Sequence, residues 1–116
     1  MCAIAVGKHF GVNNQQIKQA IENYNPTNAR SQVIEKKGCQ IILDSYNANP
    51  TSMQHALESF AKSSIKKKIV ILGDMFELGE FASQEHQKIA DLATCLNFDK
   101  IVLVGNEFSK TTTAYN

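Results

Sequence analysis

Three short segments carry most of the chemistry that this sequence can offer. They read Asp44-Ser45-Tyr46-Asn47-Ala48-Asn49-Pro50, Gly73-Asp74-Met75-Phe76-Glu77-Leu78-Gly79 and Gly105-Asn106-Glu107. Each follows an apolar run, and together they gather carboxylates, amides, glycine and proline. Such groups, converging near a helix N-terminus, can bind a phosphate, a ribose hydroxyl or a ligand carboxylate through backbone N–H groups and the helix dipole. The plainer reading of the first segment gives Asp44 an Asx-turn and Asn49 a helix cap. Arg30 is the only arginine. It lies between a turn-rich stretch and a hairpin, where a side chain can reach a ligand between two domains; the plainer reading is a surface arginine.

Other chemistries find no support. The sequence has no GxxxxGK[ST] phosphate loop, no GxGxxG fingerprint and no GxSxG nucleophile elbow. A nucleotide can touch this chain, but nothing here holds its phosphates alone. Cys2, Cys39 and Cys95 are dispersed and odd in number, which implies reduced thiols in a cytoplasm, each packing as a small apolar residue. His9, His55 and His86 have no metal-ligand spacing either. With 12 Lys+Arg against 11 Asp+Glu, the net charge of +1 removes the electrostatic case for a nucleic-acid or acidic-membrane partner. No apolar run approaches the roughly 18–20 residues of a membrane span, and the N-terminus lacks the basic region of a signal peptide. The 116 residues, 43% of them hydrophobic, allow one globular domain, or a domain and a scrap of another.

The elements that must position these segments follow from periodicity. Residues 2–10 read as the end of an apolar helix. A second helix is expected at 14–24, capped by Asn13, with Val12 stapled on Ile17 and with Ile17, Ala20, Ile21 and Tyr24 as one buried stripe. Asn25-Pro26-Thr27-Asn28 breaks the pattern and marks the best domain boundary, giving regions 1–29 and 30–116. Two β-rich runs around Lys36-Lys37-Gly38 then read as a hairpin. The second of them, 39–43, is apolar enough for a strand covered on both faces.

Asn49-Pro50 announces a helix with Met53, Leu57, Phe60 and Ala61 on its apolar face. Lys66-Lys67-Lys68 reads as a solvated connection. Residues 69–73 form a buried strand, Ser83 caps a helix whose face is Ile89, Leu92, Ala93 and Leu96, and residues 101–105 form a third buried strand. This order predicts an α/β fold: a Rossmann-like parallel sheet flanked by helices, with all three strand C-termini on one edge. Ligands in such folds bind beyond those ends.

The block Asp44-Ser45-Tyr46-Asn47-Ala48-Asn49-Pro50-Thr51-Ser52-Met53, then Leu72-Gly73-Asp74-Met75-Phe76-Glu77-Leu78-Gly79, then Ser83 and His86, resembles the C-terminal domain of the Mur ligases. Residues 1–29 resemble the helical end of that family's central, ATP-binding domain. The resemblance implies ATP-driven amide formation through an acyl phosphate in peptidoglycan precursor synthesis, with UDP-MurNAc-tripeptide, D-Ala-D-Ala and ATP as ligands and Mg2+ as the metal. It implies ATP contacts for Arg30, Asp44 and Tyr46, and a substrate-facing loop set of Asn47, Asn49, Asp74 and Glu77. His86 is expected to fix its loop rather than transfer a proton.

The family's phosphate loop and magnesium ligands belong to sequence outside this chain. The chain also ends at Thr111-Thr112-Thr113-Ala114-Tyr115-Asn116, before the last strands expected of the domain. The expectation is therefore an incomplete domain that is inactive alone and can self-associate through an exposed sheet edge. Two alternatives stay open: a Mur-type ligase with another amino-acid acceptor, or a non-catalytic Rossmann-like binding module.

Overall fold

The computed structural model describes residues 2–112. The last four residues of the C-terminal tail, 113–116, lie outside the described residues. The chain divides into two compact units, Met1–Tyr46 and Asn47–Asn116.

The first unit holds two helices and a hairpin. Helix α1 (Cys2–His9) buries no residue, and α2 (Asn14–Glu22) is capped by Asn13, whose side chain accepts the Gln16 N–H at 2.8 Å. Of the expected stripe only Ile17 is buried; Ala20, Ile21 and Tyr24 are exposed. The reason is that, among the described residues, the element packed against α2 is the short α1. Ile17 sits over Gly7, where an added Cβ would meet its side chain at 3.0 Å, and no further layer covers the rest.

Strands β1 (Gln32–Lys36) and β2 (Cys39–Leu43) pair antiparallel, with Lys36 opposite Cys39. Lys37 and Gly38 turn the chain with φ of 51° and 76°. Two successive positive φ values match the right-handed twist of the flanking strands. The expected coverage of β2 is corrected here. Ile41 and Ile42 are exposed, and the ladder partner of β2 among the described residues is β1, not a strand of the parallel sheet.

The second unit is the α/β part. Helix α3 (Pro50–Ala61) is followed by β3 (Ile69–Gly73), a 3₁₀ turn (Gly79–Phe81), α4 (Ala82–Cys95), β4 (Lys100–Val104) and a second 3₁₀ turn (Phe108–Lys110). Strands β3 and β4 are parallel, in register from Ile69 opposite Lys100 to Gly73 opposite Val104. Their starts are tied by mutual bonds between Lys68 and Asp99: the Lys68 N–H donates to the Asp99 carboxylate at 2.7 Å, and the Asp99 N–H to the Lys68 carbonyl at 3.0 Å. Their C-terminal ends therefore emerge side by side, as the sheet-edge rule requires.

One core gathers Leu57, Val70, Leu72, Met75, Ile89, Ala90, Ala93 and Phe108, with Met53, Phe60, Leu92 and Leu96 packed on it. The helix faces are thus as expected. The strands differ. β3 alternates buried and exposed positions, Ile71 being 71% exposed, because among the described residues the core lies against one face of this strand.

Two further expectations are corrected. Ser83 does not cap α4. The chain enters that helix through the Gly79–Phe81 turn, where the Phe81 N–H bonds to the Leu78 carbonyl and the Ala82 N–H to the Gly79 carbonyl, so Ser83 falls within the first turn. The three cysteines are free but exposed rather than packed. Cys2 opens a helix with no buried face, Cys39 follows the hairpin turn, and Cys95 ends α4 on its solvent side.

Candidate functional site

In the first unit the chain builds a strap around Arg30. The Ala29 carbonyl accepts the N–H groups of Ser45 at 2.9 Å and Tyr46 at 3.3 Å, and the Asp44 carboxylate accepts the Ser31 N–H at 3.1 Å. Residues 29–31 are thereby tied across to the segment that leaves β2. The tie holds an unusual backbone: Ala29 and Ser31 have φ of 54° and 50°, a left-handed region that disfavours side chains with a Cβ. Such strain persists only where surrounding bonds over-determine it. Between the two strained residues, the Arg30 guanidinium lies 3.8 Å from the Tyr46 ring centroid.

The sequence-based set Arg30, Asp44 and Tyr46 is brought together by this strap. All three are exposed, so a cation, a carboxylate and an aromatic ring face solvent from one small surface. A stacked guanidinium keeps its N–H donors in the plane, free to meet phosphate oxygens while one face is covered. Ser31 and Ala29 were not legible as site residues, since positive φ at a non-glycine leaves no mark in composition.

In the second unit Asn47 is exposed at the start and Asn49 caps α3. The Asn49 side chain accepts the Ser52 N–H at 2.9 Å, and the Ser52 hydroxyl accepts the Asn49 N–H at 3.2 Å. That capping box satisfies two backbone donors and fixes how the chain enters the helix.

The sheet ends form the other half of the unit's chemistry. Asp74, the residue after β3, turns its carboxylate into the loop after β4, where the N–H groups of Glu107 and Phe108 donate to it at 3.0 Å each. Burial pushes the Asp74 carboxyl up, but the backbone N–H groups of Glu107, Phe108 and Asn106 outweigh it and hold the group below its ordinary value. The fit depends on Gly105, whose φ is 130°; a Cβ there would stand 2.1 Å from the Asp74 carboxyl carbon. Gly105 opens one of the three segments singled out in the sequence, but its close approach to Asp74 was not read there. Its signal was a glycine directly after a strand, a position where close backbone approach is common.

His86 is fully buried in α4. Its Nε2 accepts the Met75 N–H at 2.9 Å, its Nδ1 lies 2.7 Å from the Ala82 carbonyl, and Phe108 meets it edge-on with ring centroids 4.6 Å apart. A carbonyl on one side and an N–H on the other fix the neutral ring with its proton on Nδ1. Beyond buried Met75 the loop opens outward. Phe76 is 81% exposed, and exposed Glu77 has φ of 63°. Asp74 therefore spends both oxygens on the backbone, while Glu77 faces solvent. Among the described residues no group of three or more His, Cys, Asp or Glu side chains gathers as a metal site.

Comparison with known proteins places these geometries in context. The sequence signature of the Mur ligase glutamate ligase domain matches residues 29–115. The UDP-N-acetylmuramoyl-tripeptide–D-alanyl-D-alanine ligase of Treponema pallidum is 34% identical over 110 residues, covering 95% of this chain and 24% of that protein. The ligase of the same name from Mycobacterium bovis is 36% identical over 112 residues, covering 90% of this chain and 22% of its own length. Among solved structures, a crystal structure of MurF from Acinetobacter baumannii superposes with a TM-score of 0.75 at 36% identity, over 91% of this chain and 23% of that one. MurF from Thermotoga maritima in complex with ADP superposes with a TM-score of 0.64 at 26% identity, over 86% of this chain and 26% of that one. The chain thus spans about a quarter of the length of the relatives it matches.

Proposed function

Because the chain belongs to the Mur ligase family through its glutamate ligase domain, we propose that it is part of an ATP-dependent ligase that joins D-Ala-D-Ala to UDP-MurNAc-tripeptide in peptidoglycan precursor synthesis. The observation that carries the reading is the strap. One set of bonds presents Arg30, Asp44 and Tyr46 together, and relatives bearing the D-alanyl-D-alanine ligase name align across this part of the chain. In this reading residues 1–29 are the helical tail of a central ATP-binding domain and residues 30–116 the Rossmann-like ligase domain. The setting is cytoplasmic, where the nucleotide and the UDP-linked precursor occur; among the described residues no helix is long and apolar enough to cross a membrane.

Each residue's part follows from its chemistry. Arg30 offers planar donors and positive charge to phosphate oxygens, and Tyr46 holds that plane in one orientation. Asp44 fixes the Arg30 turn through Ser31 and keeps a second carboxylate oxygen towards the nucleotide region. Asn47, Asn49 and Glu77 supply amide and carboxylate groups that orient the acceptor amine, the proximity such a bimolecular step needs. Asp74 supports that set from within, through the backbone of the β4 loop. When bound, ATP would supply the γ-phosphate that activates the tripeptide's own carboxylate, with ADP as the leaving group, and Mg2+ would neutralise phosphate charge; the Arg30 and Tyr46 pair fits the nucleotide rather than the metal. The phosphate-loop and metal-binding groups are assigned to the part of the enzyme outside these 116 residues, so this chain alone does not ligate. The bare face of β3 supports self-association of the isolated chain.

The test is ligation by the intact enzyme, with D-Ala-D-Ala and single amino acids offered as acceptors. Product formed with D-Ala-D-Ala alone, and lost in Arg30→Ala with folding retained, is the expected result. Preference for another acceptor overturns the substrate, and unchanged kinetics in Arg30→Ala overturns the site.

A further inference from the structure

Where the two loops leave the sheet, the second unit holds a hydrogen-bonded cluster built on fully buried His86, with buried Met75, part-buried Asp74 and Gly105 beside it. Its members join the two loops that leave the sheet. His86 Nε2 takes the Met75 N–H at the root of the first loop, and Asp74 takes the Glu107 and Phe108 N–H groups at the root of the second. The two side chains also meet, Asp74 Oδ1 lying 3.6 Å from His86 Nε2. Met75 is 2% exposed, so an unpaired Met75 N–H would have no water to turn to.

We propose that His86 is the positioning residue of the 75–78 loop, acting through its neutral Nε2, and that Asp74 carries the same constraint into the β4 loop so that the two sheet-end loops are held as one piece. The proton inventory makes the hold conditional. A second proton from solvent on Nε2 sets an N–H donor against the Met75 N–H donor, and that bond is lost. The new donor then faces Asp74 Oδ1, which already accepts the Phe108 N–H at 3.0 Å. That oxygen has a second lone pair for the ring donor, so the β4 loop loosens when the carboxylate turns towards the ring and away from the Glu107 and Phe108 N–H groups. Among the described residues Asp74 is the charged group within ion-pair reach of the ring. The ring's other close neighbour, Phe108, is apolar, and the nearby charges are engaged elsewhere or exposed: Glu107 pairs with Lys110 at 2.5 Å, Glu85 with Lys88 at 2.6 Å, and Glu77 and Glu80 lie open to solvent.

This inference rests on the ligase reading only for its consequence, and its test is independent of catalysis. In the intact protein, ring ¹⁵N shifts should show His86 protonated on Nδ1 at pH 8. The Met75 amide should exchange at least ten-fold more slowly than those of Phe76 and Glu77. At one fixed pH, His86→Phe should raise Met75 exchange about ten-fold after correction for intrinsic rates, with Glu107 and Phe108 following through Asp74. His86→Gln, whose Oε1 reaches the same N–H, should restore most of the Met75 protection. An Nε2–H tautomer, or Met75 protection unchanged in His86→Phe, overturns the proposal. Glu107 and Phe108 amides unchanged in His86→Phe overturn the coupling through Asp74. If His86→Phe fails to fold, the wild-type ring tautomer and the Met75 protection of His86→Gln still decide. Ligation unaffected by loss of the loop's protection would instead count against the substrate-facing role of Glu77, leaving the positioning role intact.

Discussion

The Arg30 guanidinium rests 3.8 Å above the centre of the Tyr46 ring, across a chain crossing sealed by the Ala29 carbonyl and the Asp44 carboxylate. The pair stands on a strained turn, so the cation is placed by the backbone before any ligand arrives. A preplaced cation saves the ordering entropy that a free arginine would lose on binding, since a long side chain otherwise surrenders about 1–2 kcal/mol of rotamer freedom.

Removing the ring should therefore weaken nucleotide binding without abolishing it. An exposed cation–π contact is worth about 0.5–1 kcal/mol, so Tyr46→Leu should raise KM for ATP about two- to five-fold in the intact ligase, with kcat changed less. Arg30→Lys should do more, because an ammonium presents no plane to stack and no fork to phosphate. Steady-state kinetics with varied ATP separates the two.

Gly105 yields a stability prediction. A methyl group there meets the Asp74 carboxyl at 2.1 Å, in a backbone conformation that L-residues rarely adopt. Gly105→Ala should cost at least about 2 kcal/mol by urea denaturation, from strain and displaced hydrogen bonds together. Asp74→Ala removes the obstacle, so the double variant should be less destabilised than the sum of the singles. That non-additivity is the signature of direct contact.

Much of this fold was legible because local rules govern it. The Asn13 and Asn49 caps, the Lys37-Gly38 turn and the helix faces around Leu57, Ile89 and Ala93 depend on neighbours a few residues away. The failures concern what lies over each surface. An apolar run such as Ile41-Ile42 or Ile69–Gly73 announces a strand, but periodicity does not say whether a helix covers both faces, one or neither. The site divides along the same line. Arg30 and Asp44 were singled out by residue type and setting and the ATP set with Tyr46 by the family resemblance, and the strap brings these three side chains together. Ala29, Ser31 and Gly105 act through backbone conformation, and the Met75 N–H is identical in every residue type but proline.

Asp74 makes acid stability a readout. Its carboxyl is held below the ordinary value of 3.8 in the fold, chiefly because the Glu107 and Phe108 N–H groups outweigh its burial. A depressed folded value means that the charged form contributes stability above the unfolded value, and that this contribution is lost as pH falls through the folded one. Asp74→Asn should thus cost about 1–2 kcal/mol near pH 7, the scale of weakened charge-assisted bonds. The gap between variant and wild type should narrow below the ordinary carboxylate range. Urea midpoints at pH 7 and pH 3 give the comparison, and a gap independent of pH would show that the carboxylate charge is not what holds the loop.

Asn49 stands between two roles, helix cap and ligand contact, and substitution can separate them. Asn49→Ala should cost about 1 kcal/mol, because the Ser52 N–H loses its acceptor. Asn49→Asp keeps that acceptor and adds a charge that the helix N-terminus favours, so stability should be retained. On the proposed role of orienting the acceptor, the added negative charge meets a ligand that carries a carboxylate of its own, and KM for D-Ala-D-Ala should rise about ten-fold, equivalent to about 1.4 kcal/mol. A stable Asn49→Asp enzyme with unaltered kinetics would assign the residue to the cap alone and leave Asn47 and Glu77 to face the ligand.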